Sequence, residues 1–331
     1  MSTDHWQCLH PTMSSGRSAL TPDNRGLAYA DGFFTTMAVS EGQILWLDYH
    51  QKRLITHARA LQLSVPIESL LAQIQAGAVM LGEGVMKLVI TRAPQAVRGY
   101  GFSDNAAGQA SMVWLKSTPM ALASAKLMLP NDKWVWQQPA TDTVCLTSQI
   151  ACLPPSLAGL KTLNRLDGVL ASGELQAIRE SGRHQDQLGE GLVRDMTGCW
   201  VEGTMSNVFY QLASPKPPSN SNQAHPIQDK PIQNKSKRLE DDLSALTHGQ
   251  WFTPPMTQSG VAGIMRAVII DALAATEHPV VERPLMDSDL PQLSRLFYCN
   301  AVRGVMPARR LRLLGRVFSA IDSPLNGLKN G

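Results

Sequence analysis

The sequence predicts a mixed α/β protein with two domains, and three observations support this prediction. The chain has 331 residues, which is enough for two domains that each bury a hydrophobic core. Segments in which apolar and polar residues alternate, as in strands, are interspersed with segments whose apolar residues recur every three or four positions, as in helices. Proline and small residues between 117 and 124 indicate a crossing between domains. We therefore expect a smaller α/β domain over 1–117, a linker over 118–124 and a larger domain over 125–331.

The composition is that of a globular protein without a strong acidic or basic bias. Hydrophobic residues make up 44% of the chain and charged residues 17%, and no apolar run approaches the roughly 20 residues that a membrane span requires. A net charge of +3 is too small to indicate a nucleic-acid partner. The first ten residues lack the basic and then apolar pattern of a secretory signal, so a cytoplasmic location is expected.

The spacing of cysteine and histidine residues predicts no metal site. The five cysteines include no Cys-x-x-Cys pair, and the eight histidines include no His-x-x-x-His pair that would place two ligands on one face of a helix. The odd and scattered set of cysteines also argues against a disulfide framework. We therefore expect reduced, mostly structural cysteines and no bound metal.

The first half of the chain contains the signals of a sheet flanked by helices. Asp31 and Gly32 form a turn before a run of β-branched and aromatic residues, and Asp48 is the expected cap of the next helix. Alternation along the run places Phe34 and Thr36 on one face of the strand and their neighbours on the other. The predicted elements are strands at 6–9, 33–39, 44–47, 85–92 and 113–115, and helices at 48–61 and 67–81.

The second half predicts further strands and two helices. Asn164 is the expected cap of a helix that reaches about Ile178, with Leu166, Val169 and Leu170 facing a core. The segment 214–249 is rich in Pro, Ser, Asn, Gln and Lys and is predicted to be a disordered surface insertion. The other predicted elements are strands at 126–129, 134–136, 191–194, 199–202, 206–209 and 296–300, and a helix at 264–275.

Lys161 is the first candidate for a chemical role. It stands between a glycine-bearing turn at Gly159 and the first turn of the helix after Asn164. A lysine in this place has three interpretations: a solvated surface charge, a phosphate contact, or an amine that forms a Schiff base and whose pKa is lowered by burial. The stretch alone leaves these three interpretations open.

About forty residues later, Glu202 is followed by a small-residue turn and the apolar strand Asn207-Val208-Phe209. Together with Lys161-Thr-Leu-Asn-Arg-Leu166, this segment resembles the cofactor-facing part of the fold-type IV pyridoxal-phosphate enzymes. The lysine motif is most similar to their aminodeoxychorismate lyase group. The resemblance implies a two-domain fold with the active site at the domain interface, pyridoxal 5'-phosphate bound covalently to Lys161, and Glu202 facing the pyridine nitrogen. A carboxylate there keeps that nitrogen protonated, which makes the ring an electron acceptor.

The resemblance also implies how the cofactor phosphate is bound. Arg53 matches the arginine that contacts the phosphate, and a guanidinium group suits phosphate oxygens. The glycine-bearing turn at 260–263 is similar to the phosphate cup of the family, with the backbone amides of Ile264 and Met265 as donors at a helix start. The turn that begins at Asn300 returns to the phosphate and the substrate in the family, which makes Asn300 a further binding candidate.

Thr36 and the loop Arg98-Gly99-Tyr100 resemble the lyase group in particular. There the threonine reaches the cofactor and the arginine meets a substrate carboxylate, so these roles fall on Thr36 and Arg98, with Tyr100 as a second substrate contact. The implied reaction converts 4-amino-4-deoxychorismate to pyruvate and 4-aminobenzoate, a folate precursor. Lys161 acts as the base in this scheme, and Thr36 and Lys161 deliver the proton to the departing fragment. The family also implies a homodimer whose pocket is built across the subunit interface.

Two other functions are compatible with the same residues. A transaminase acting on branched-chain or D-amino acids would share the lysine, the carboxylate and the phosphate cup, whereas Thr36 and Arg98 favour the lyase. A non-enzymatic, regulatory cofactor-binding protein is the third interpretation. The presence of both Lys161 and Glu202 argues against it, because a protein that only binds the cofactor has no need of both.

Overall fold

The structure is a computed structural model that describes residues 6–11, 21–122, 125–181, 188–213, 236–240, 243 and 246–313. The chain forms two sheets, one from residues before 120 and one from residues after 124, and helices pack against both. The predicted mixed α/β fold class is confirmed. The domain limits, with a linker over 118–124, stay a prediction.

The N-terminal sheet has five antiparallel strands. In chain order they are β1 (Trp6–His10), β2 (Gly32–Ser40), β3 (Gln43–Ile44), β4 (Gly84–Arg92) and β5 (Ser111–Pro119). Their spatial order is β1-β5-β4-β2-β3, so that β2 and β4 are paired along most of their length. The accompanying helices are α1 (Arg25–Tyr29), α2 (Leu47–Ala60), α3 (Ile67–Leu81) and α4 (Ala106–Gln109). A strand occurs at each of the five predicted places, although β3 is short because α2 begins directly after the hairpin.

The N-terminal core lies between one face of this sheet and helices α2 and α3. Phe33 and Met37 of β2 are fully buried in it, whereas Phe34 and Thr36 on the opposite face are only partly buried. The predicted alternation along β2 is therefore confirmed. The face that carries Phe34 and Thr36, which we call the outer face of the sheet, is left available for the site described below.

The C-terminal sheet has eleven strands, six of which close into a ring. In chain order they are β6 (Ala125–Met128), β7 (Trp134–Gln137), β8 (Thr141–Ile150), β9 (Leu188–Asp195), β10 (Trp200–Gly203), β11 (Asn207–Leu212), β12 (Ser236–Arg238), β13 (Phe252–Thr253), β14 (Val281–Glu282), β15 (Leu293–Asn300) and β16 (Gly304–Arg312). Strands β8 to β11 pair in sequence, β15 joins β11 to β16, and β16 pairs with β8. The helices of this half are α5 (Leu166–Glu180), α6 (Ile264–Leu273) and a 3₁₀ helix (Leu290–Gln292).

The apolar face of α5 points outward, which contradicts the prediction that Leu166, Val169 and Leu170 face a core. Their side chains are 73%, 61% and 70% exposed, while Ala171 and Leu175 are buried against the sheet. Apolar residues at three- and four-residue spacing identify an amphipathic helix, but they do not show which neighbour the apolar stripe contacts. Here the small side chain of Ala171 lets the other face of the helix approach β8.

Neither of the two predicted helix caps is observed. The residue before α2 is Trp46, whose backbone is left-handed with a φ of 61°, and Asp48 lies in the first turn. The residue before α5 is Arg165 rather than Asn164, and its side chain does not bond to the helix start. In both cases the preceding segment is held by tertiary contacts, which replace the local capping bond as the reason why the helix begins there.

Part of the predicted disordered insertion over 214–249 is ordered. Strand β12 pairs antiparallel with β16, and Leu239, Leu243 and Leu246 are buried in the C-terminal half. The polar composition of the segment concealed these leucines, whose burial offsets the entropy lost on ordering the chain. Residues 214–235, 241–242 and 244–245 lie outside the described residues.

Three further features bear on function. Within the described ranges, no helix is both long enough and apolar enough to cross a membrane. The same part of the chain contains no group of three or more His, Cys, Asp or Glu side chains that could hold a metal ion. All five cysteines are free thiols.

Candidate active site

The segment that carries Lys161 lies between the two sheets. On one side Gly159 pairs with Val261, in the turn before α6, and its φ of +75° is a conformation that favours glycine. On the other side Thr162 pairs with Phe33 of β2. Lys161 is therefore held at the junction of the N-terminal and C-terminal sheets.

The amine of Lys161 lies in an environment that disfavours its charge. Burial lowers the pKa of this amine to about 8, and the nearby positive charge of Arg53 acts in the same direction, while the carboxylate of Glu202 opposes the shift. The Nζ atom is 4.7 Å from the ring centroid of Phe34 on the outer face of the sheet. At neutral pH about one amine in ten is then unprotonated. An unprotonated amine is the form that attacks a carbonyl carbon.

Glu202, in β10, lies next to the turn that precedes α6. Its Oε2 atom accepts a hydrogen bond from the Val261 N–H at 2.9 Å. Burial raises the pKa of the Glu202 carboxyl to about 7, against the opposing effects of that hydrogen bond and of the positive charges of Arg165 and Lys161. A cationic group beside this carboxyl would favour its ionised form.

Two glycines allow the turn before α6 to approach the strands that carry Glu202 and Asn207. A Cβ atom at Gly260 would lie 3.1 Å from Glu202 Oε2, and one at Gly263 would lie 1.9 Å from Asn207 Oδ1. Asn207 Nδ2 in turn donates to the carbonyl oxygen of Val261 at 2.8 Å. The turn is therefore packed directly on β10 and β11, and no larger residue fits at 263 without displacing the Asn207 side chain or the turn.

The start of α6 and Arg53 together make a candidate anion site, because they place backbone N–H groups and a guanidinium at one turn. The amides of Ile264 and Met265 belong to the first turn of the helix, where backbone N–H groups have no intrahelical acceptor and the helix dipole favours negative charge. Arg53 Nη2 donates to the carbonyl oxygen of Ala262 at 2.7 Å, which places its guanidinium at the same turn. Burial lowers the pKa of Arg53 to about 10, so the group is still cationic at neutral pH. The structure thus brings together the three residues predicted to bind a phosphate.

Thr36 lies on the outer face of the N-terminal sheet, on the same side as Phe34. Lys87 of β4 pairs with Thr36 in the strand register, and its Nζ atom is 5.1 Å from the ring centroid of Phe34. Lys161 approaches the same ring, so two amines lie over one aromatic side chain on the face that also carries Thr36. Lys87 was missed in the sequence, although one charged residue within an apolar strand is a recognisable signal.

Arg98 and Tyr100 lie on an exposed loop, and Tyr100 lines a cavity together with Thr162, the residue after Lys161. The side chain of Tyr100 is 83% exposed. The loop is held through its backbone, because the Arg25 guanidinium donates to the carbonyl oxygens of Gly99 at 3.2 Å and Tyr100 at 2.8 Å. A contact of Arg98 or Tyr100 with a substrate carboxylate stays a prediction.

Asn300 is placed in the turn between β15 and β16. Its Oδ1 atom accepts hydrogen bonds from the N–H groups of Val302 at 3.1 Å and Arg303 at 2.8 Å, and its Nδ2 atom donates to the Met205 carbonyl at 3.4 Å. The side chain thus links this turn to the one that follows Glu202. Asn300 contributes the shape of the turn, and a direct cofactor contact stays a prediction.

Two residues that the sequence analysis missed, Glu190 and His57, hold the backbone around the site. The Glu190 carboxylate accepts hydrogen bonds from the Thr204 N–H at 3.0 Å and the Ser206 hydroxyl at 2.7 Å, which holds the turn between β10 and β11. His57 Nε2 accepts a hydrogen bond from the Lys161 N–H at 2.9 Å. A charged residue within a buried strand is a signal for Glu190. His57 gives no local signal, since its partner lies 104 residues away.

A cavity of about 650 Å³ opens beside the lysine segment. Its lining includes Arg25, Asp31, Tyr100, Thr162 and Arg165. None of the three residues predicted to be catalytic lines it. The cavity is a crevice next to the predicted substrate loop, and the geometry around Lys161 and Glu202 defines the site more closely than the cavity does.

The chain is similar to known proteins in sequence and in fold. Residues 32–311 match the model of the amino-transferase class IV family. An aminodeoxychorismate lyase of Vibrio harveyi is 22% identical over 285 residues, covering 86% of this chain and 84% of the relative. A putative branched-chain-amino-acid aminotransferase of Methanocaldococcus jannaschii is 24% identical over 304 residues, covering 89% and 83%. The crystal structure of a 4-amino-4-deoxychorismate lyase from Pseudomonas aeruginosa superposes with a TM-score of 0.65 at 26% identity, covering 91% of this chain and 89% of that one.

Proposed function

Because the chain belongs to the amino-transferase class IV family, whose members depend on pyridoxal phosphate, we propose that it converts 4-amino-4-deoxychorismate to 4-aminobenzoate and pyruvate. The observation that carries this choice is the basic outer face of the sheet, where Lys87 stands beside Thr36. The amine of Lys87 suits 4-amino-4-deoxychorismate because this substrate bears two carboxylates, whereas a branched-chain amino acid has an apolar side chain. The similarity to two lyases supports the same proposal.

The residues of the site fit pyridoxal phosphate. The start of α6 and Arg53 offer N–H donors and a guanidinium to a phosphate group. Glu202 is bonded to Val261, only three residues before the helix start, so a partner for the pyridine nitrogen lies close to the phosphate site. A protonated nitrogen there would lower the pKa of Glu202 and so offset the effect of burial, which raises it. When bound, the cofactor supplies a ring that accepts the electron pair released as the substrate carbon loses its proton.

The proton transfers fall to Lys161 and Thr36. In its neutral form, Lys161 Nζ takes the proton from the substrate carbon that bears the amino group, and its lowered pKa keeps this form accessible near neutrality. The bond between the ring carbon and the ether oxygen then breaks, and the enolpyruvyl group leaves. Thr36 and Lys161 deliver the proton that converts this group to pyruvate. The remaining ring becomes aromatic, which favours elimination over the return of a proton that transamination needs.

We further propose that the protein acts as a homodimer in the cytoplasm. Leu27, Tyr100 and Leu166 are largely exposed apolar side chains, and such side chains in a patch mark an interaction surface. Arg98 belongs to the same loop as Tyr100, so a second copy docked here brings its Arg98 guanidinium towards a neighbouring pocket. Sedimentation of the protein and of the variant Leu166→Glu tests this step: the wild type is expected as a dimer and the variant as a monomer.

A transaminase is the second candidate function, and the similarity to an aminotransferase favours it. The lysine, the carboxylate and the anion site serve both reactions, so these residues do not discriminate between them. The outer face of the sheet does discriminate between the two reactions, because a transaminase for apolar amino acids does not need the cation of Lys87. A regulatory protein that binds the cofactor without turnover is the third candidate. It predicts a bound cofactor and no product from any amine.

The deciding experiment incubates the cofactor-loaded protein with enzymatically generated 4-amino-4-deoxychorismate and measures both products. We expect 4-aminobenzoate and pyruvate in equal amounts, with no product from Lys161→Ala. The same variant is expected to lose the visible absorbance of the lysine-bound cofactor. Conversion of D-alanine or a branched-chain amino acid with 2-oxoglutarate, without 4-aminobenzoate, would assign the protein to the transaminases instead.

A further inference from the structure

We propose that His57 is a positioning residue of the site: its ring nitrogen holds the backbone of Lys161 and so sets the direction in which the lysine side chain projects. The inference deepens the proposed function and rests on it, because it takes Lys161 to be the residue that binds the cofactor. Neither the sequence motifs nor the family resemblance assigns a role to His57, which lies in α2, one turn after Arg53.

The contact is a hydrogen bond between a backbone donor and a side-chain acceptor. The Lys161 N–H donates to His57 Nε2 at 2.9 Å. An accepting Nε2 is unprotonated, so the ring proton of the neutral imidazole is on Nδ1, 3.4 Å from the hydroxyl oxygen of Thr56. The Lys161 carbonyl oxygen in turn accepts from the Phe34 N–H at 3.1 Å. Both peptide groups that flank the Lys161 side chain are therefore fixed by the N-terminal half of the chain.

One face of α2 connects this bond to the anion site. Arg53 and His57 are four residues apart and lie on the same side of the helix. Arg53 holds the Ala262 carbonyl in the turn before α6, and His57 holds the Lys161 amide. The helix thus sets the distance between the lysine and the phosphate site, which are the two points where the cofactor is attached. If the two segments were held by their own backbone amides and not by α2, the distance between the lysine and the phosphate site would depend on two separate loops.

The surroundings keep His57 an acceptor. Its side chain is 5% exposed, and its ring packs against the ring of Phe33 with centroids 5.4 Å apart. The charged groups that face it are Arg53 on its own helix and Lys161 and Arg165 on the lysine segment, all of them cations. Burial, followed by these charges, lowers the pKa of His57 to about 3. The neutral ring therefore persists over the whole range in which enzymes of this kind work.

His57 is not itself the base of the reaction. Its Nε2 lone pair is occupied by the Lys161 amide, and its Nδ1 atom carries a proton. The bond also differs from an ordinary packing contact, because removal of the acceptor leaves the Lys161 N–H unsatisfied next to the reacting amine. These two properties separate a positioning role from a catalytic role and from a merely structural one.

Two substitutions and one control test the inference in the cofactor-loaded enzyme. His57→Phe keeps a flat ring against Phe33 but removes the acceptor, and His57→Gln restores an acceptor oxygen at a similar reach. Tyr49→Phe is the matched control: it lies in the same helix and removes the bond from its hydroxyl to Asp271, 2.8 Å long, without touching the lysine segment. For each variant we would measure hydrogen exchange at the Lys161 amide, kcat, KM and thermal stability.

In His57→Phe we expect exchange at Lys161 to be at least about tenfold faster and kcat about tenfold lower, with KM within about twofold of the wild type. His57→Gln is expected to recover most of both losses, and Tyr49→Phe to show neither. If His57→Phe folds poorly, His57→Asn decides, because its shorter side chain withdraws the acceptor from the Lys161 amide: faster exchange and a lower kcat than in His57→Gln are expected, and exchange and kcat equal to those of the wild type overturn the inference.

The test separates failure of the inference from failure of the proposed function. If Lys161→Ala loses the visible band but exchange and kcat in His57→Phe equal those of the wild type, His57 has no positioning role and the proposed function stands. If Lys161→Ala keeps the band, both fall, because Lys161 then does not bind the cofactor.

Discussion

The phosphate end of the site, at the start of α6, and the substrate end, on the outer face of the sheet, differ in what positions their atoms. At the phosphate end the donors are backbone amides in a turn that is packed so closely that a Cβ at Gly263 would lie 1.9 Å from Asn207. Arg53 there is buried and bonded. At the substrate end the groups are side chains, and Lys87 is exposed. The Tyr100 loop is held by Arg25, which binds its carbonyl groups, and by the contact of the Tyr100 ring with the ring of Tyr29.

This difference separates what the family shares from what a single member can change. Backbone donors depend on the path of the chain, so any sequence that keeps the turn keeps the anion site. Side chains on a strand can change one by one without altering the sheet, and they decide which substrate is accepted. The same fold can therefore carry a lyase and a transaminase that differ mainly on the outer face.

The largest expected effect comes from Glu202→Gln at the cofactor end. The amide cannot carry the negative charge that favours a protonated pyridine nitrogen, so kcat should fall by about a hundredfold or more while the cofactor stays bound. Steady-state kinetics together with the absorbance of the bound cofactor measure both quantities. The control is Glu180→Gln, an exposed carboxylate on α5, which should leave kcat unchanged. A near-normal kcat in Glu202→Gln would remove this residue from the mechanism.

The second prediction concerns the packing of the phosphate turn. Gly263→Ala forces a methyl group against Asn207, and overpacking of this kind costs about 1–3 kcal/mol. Because the displaced atoms lead directly into the helix start, we expect the dissociation constant of the cofactor to rise at least about tenfold. Titration of the cofactor into the protein measures it. Gly173→Ala is the control, since a Cβ there meets no atom within 4 Å and alanine favours an exposed helix by about 1 kcal/mol.

The same contrast shows how much of the molecule its sequence could predict. Lys161, Glu202 and Arg53 were proposed from motifs that occur in a fixed order along the chain, and the structure places them close to one turn, while their roles stay predictions. Most strands were found because local alternation determines them. Strands β8, β12, β13, β14 and β16 were not predicted.

The missed features depend on contacts between distant parts of the chain. The exposed stripe of α5 and the buried leucines at Leu239 and Leu243 depend on which neighbour is present, and no local pattern carries that information. His57 was missed for the same reason. Arg98 and Tyr100 have a recognisable motif, but a local motif does not show whether a loop serves its own site or that of a second copy, so their role stays a prediction.

The third prediction probes the substrate end. Lys87→Met removes one cation from the outer face, so KM for the dicarboxylate substrate should rise by about tenfold with little change in kcat. Cofactor binding should not change. Lys52→Met, an exposed residue on α2, is the control. An unchanged KM would show that the outer face does not read the substrate carboxylates and would remove the observation on which the choice of a lyase rests.

The last prediction is a dip in the stability of the cofactor-free protein near neutral pH. Burial raises the pKa of Glu202 from its usual 4.5 to about 7, so the folded state binds more protons than the unfolded state between these values. The free energy of unfolding therefore falls as pH rises through that window. Burial lowers the pKa of Lys161 from its usual 10.5 to about 8, so the unfolded state binds more protons between these values, and the free energy of unfolding rises again.

Melting temperatures measured from pH 4 to pH 11 should therefore pass through a minimum between about pH 7 and pH 8. Glu202→Gln should remove the fall on the acid side and Lys161→Met the rise on the alkaline side, because each variant lacks one of the two titrating groups. Bound cofactor should remove both, since it uses the lysine and offers the carboxyl a cationic partner. A minimum that persists in both variants would place its origin outside the cofactor end. It would also mean that burial shifts the pKa values of Glu202 and Lys161 less than their surroundings indicate.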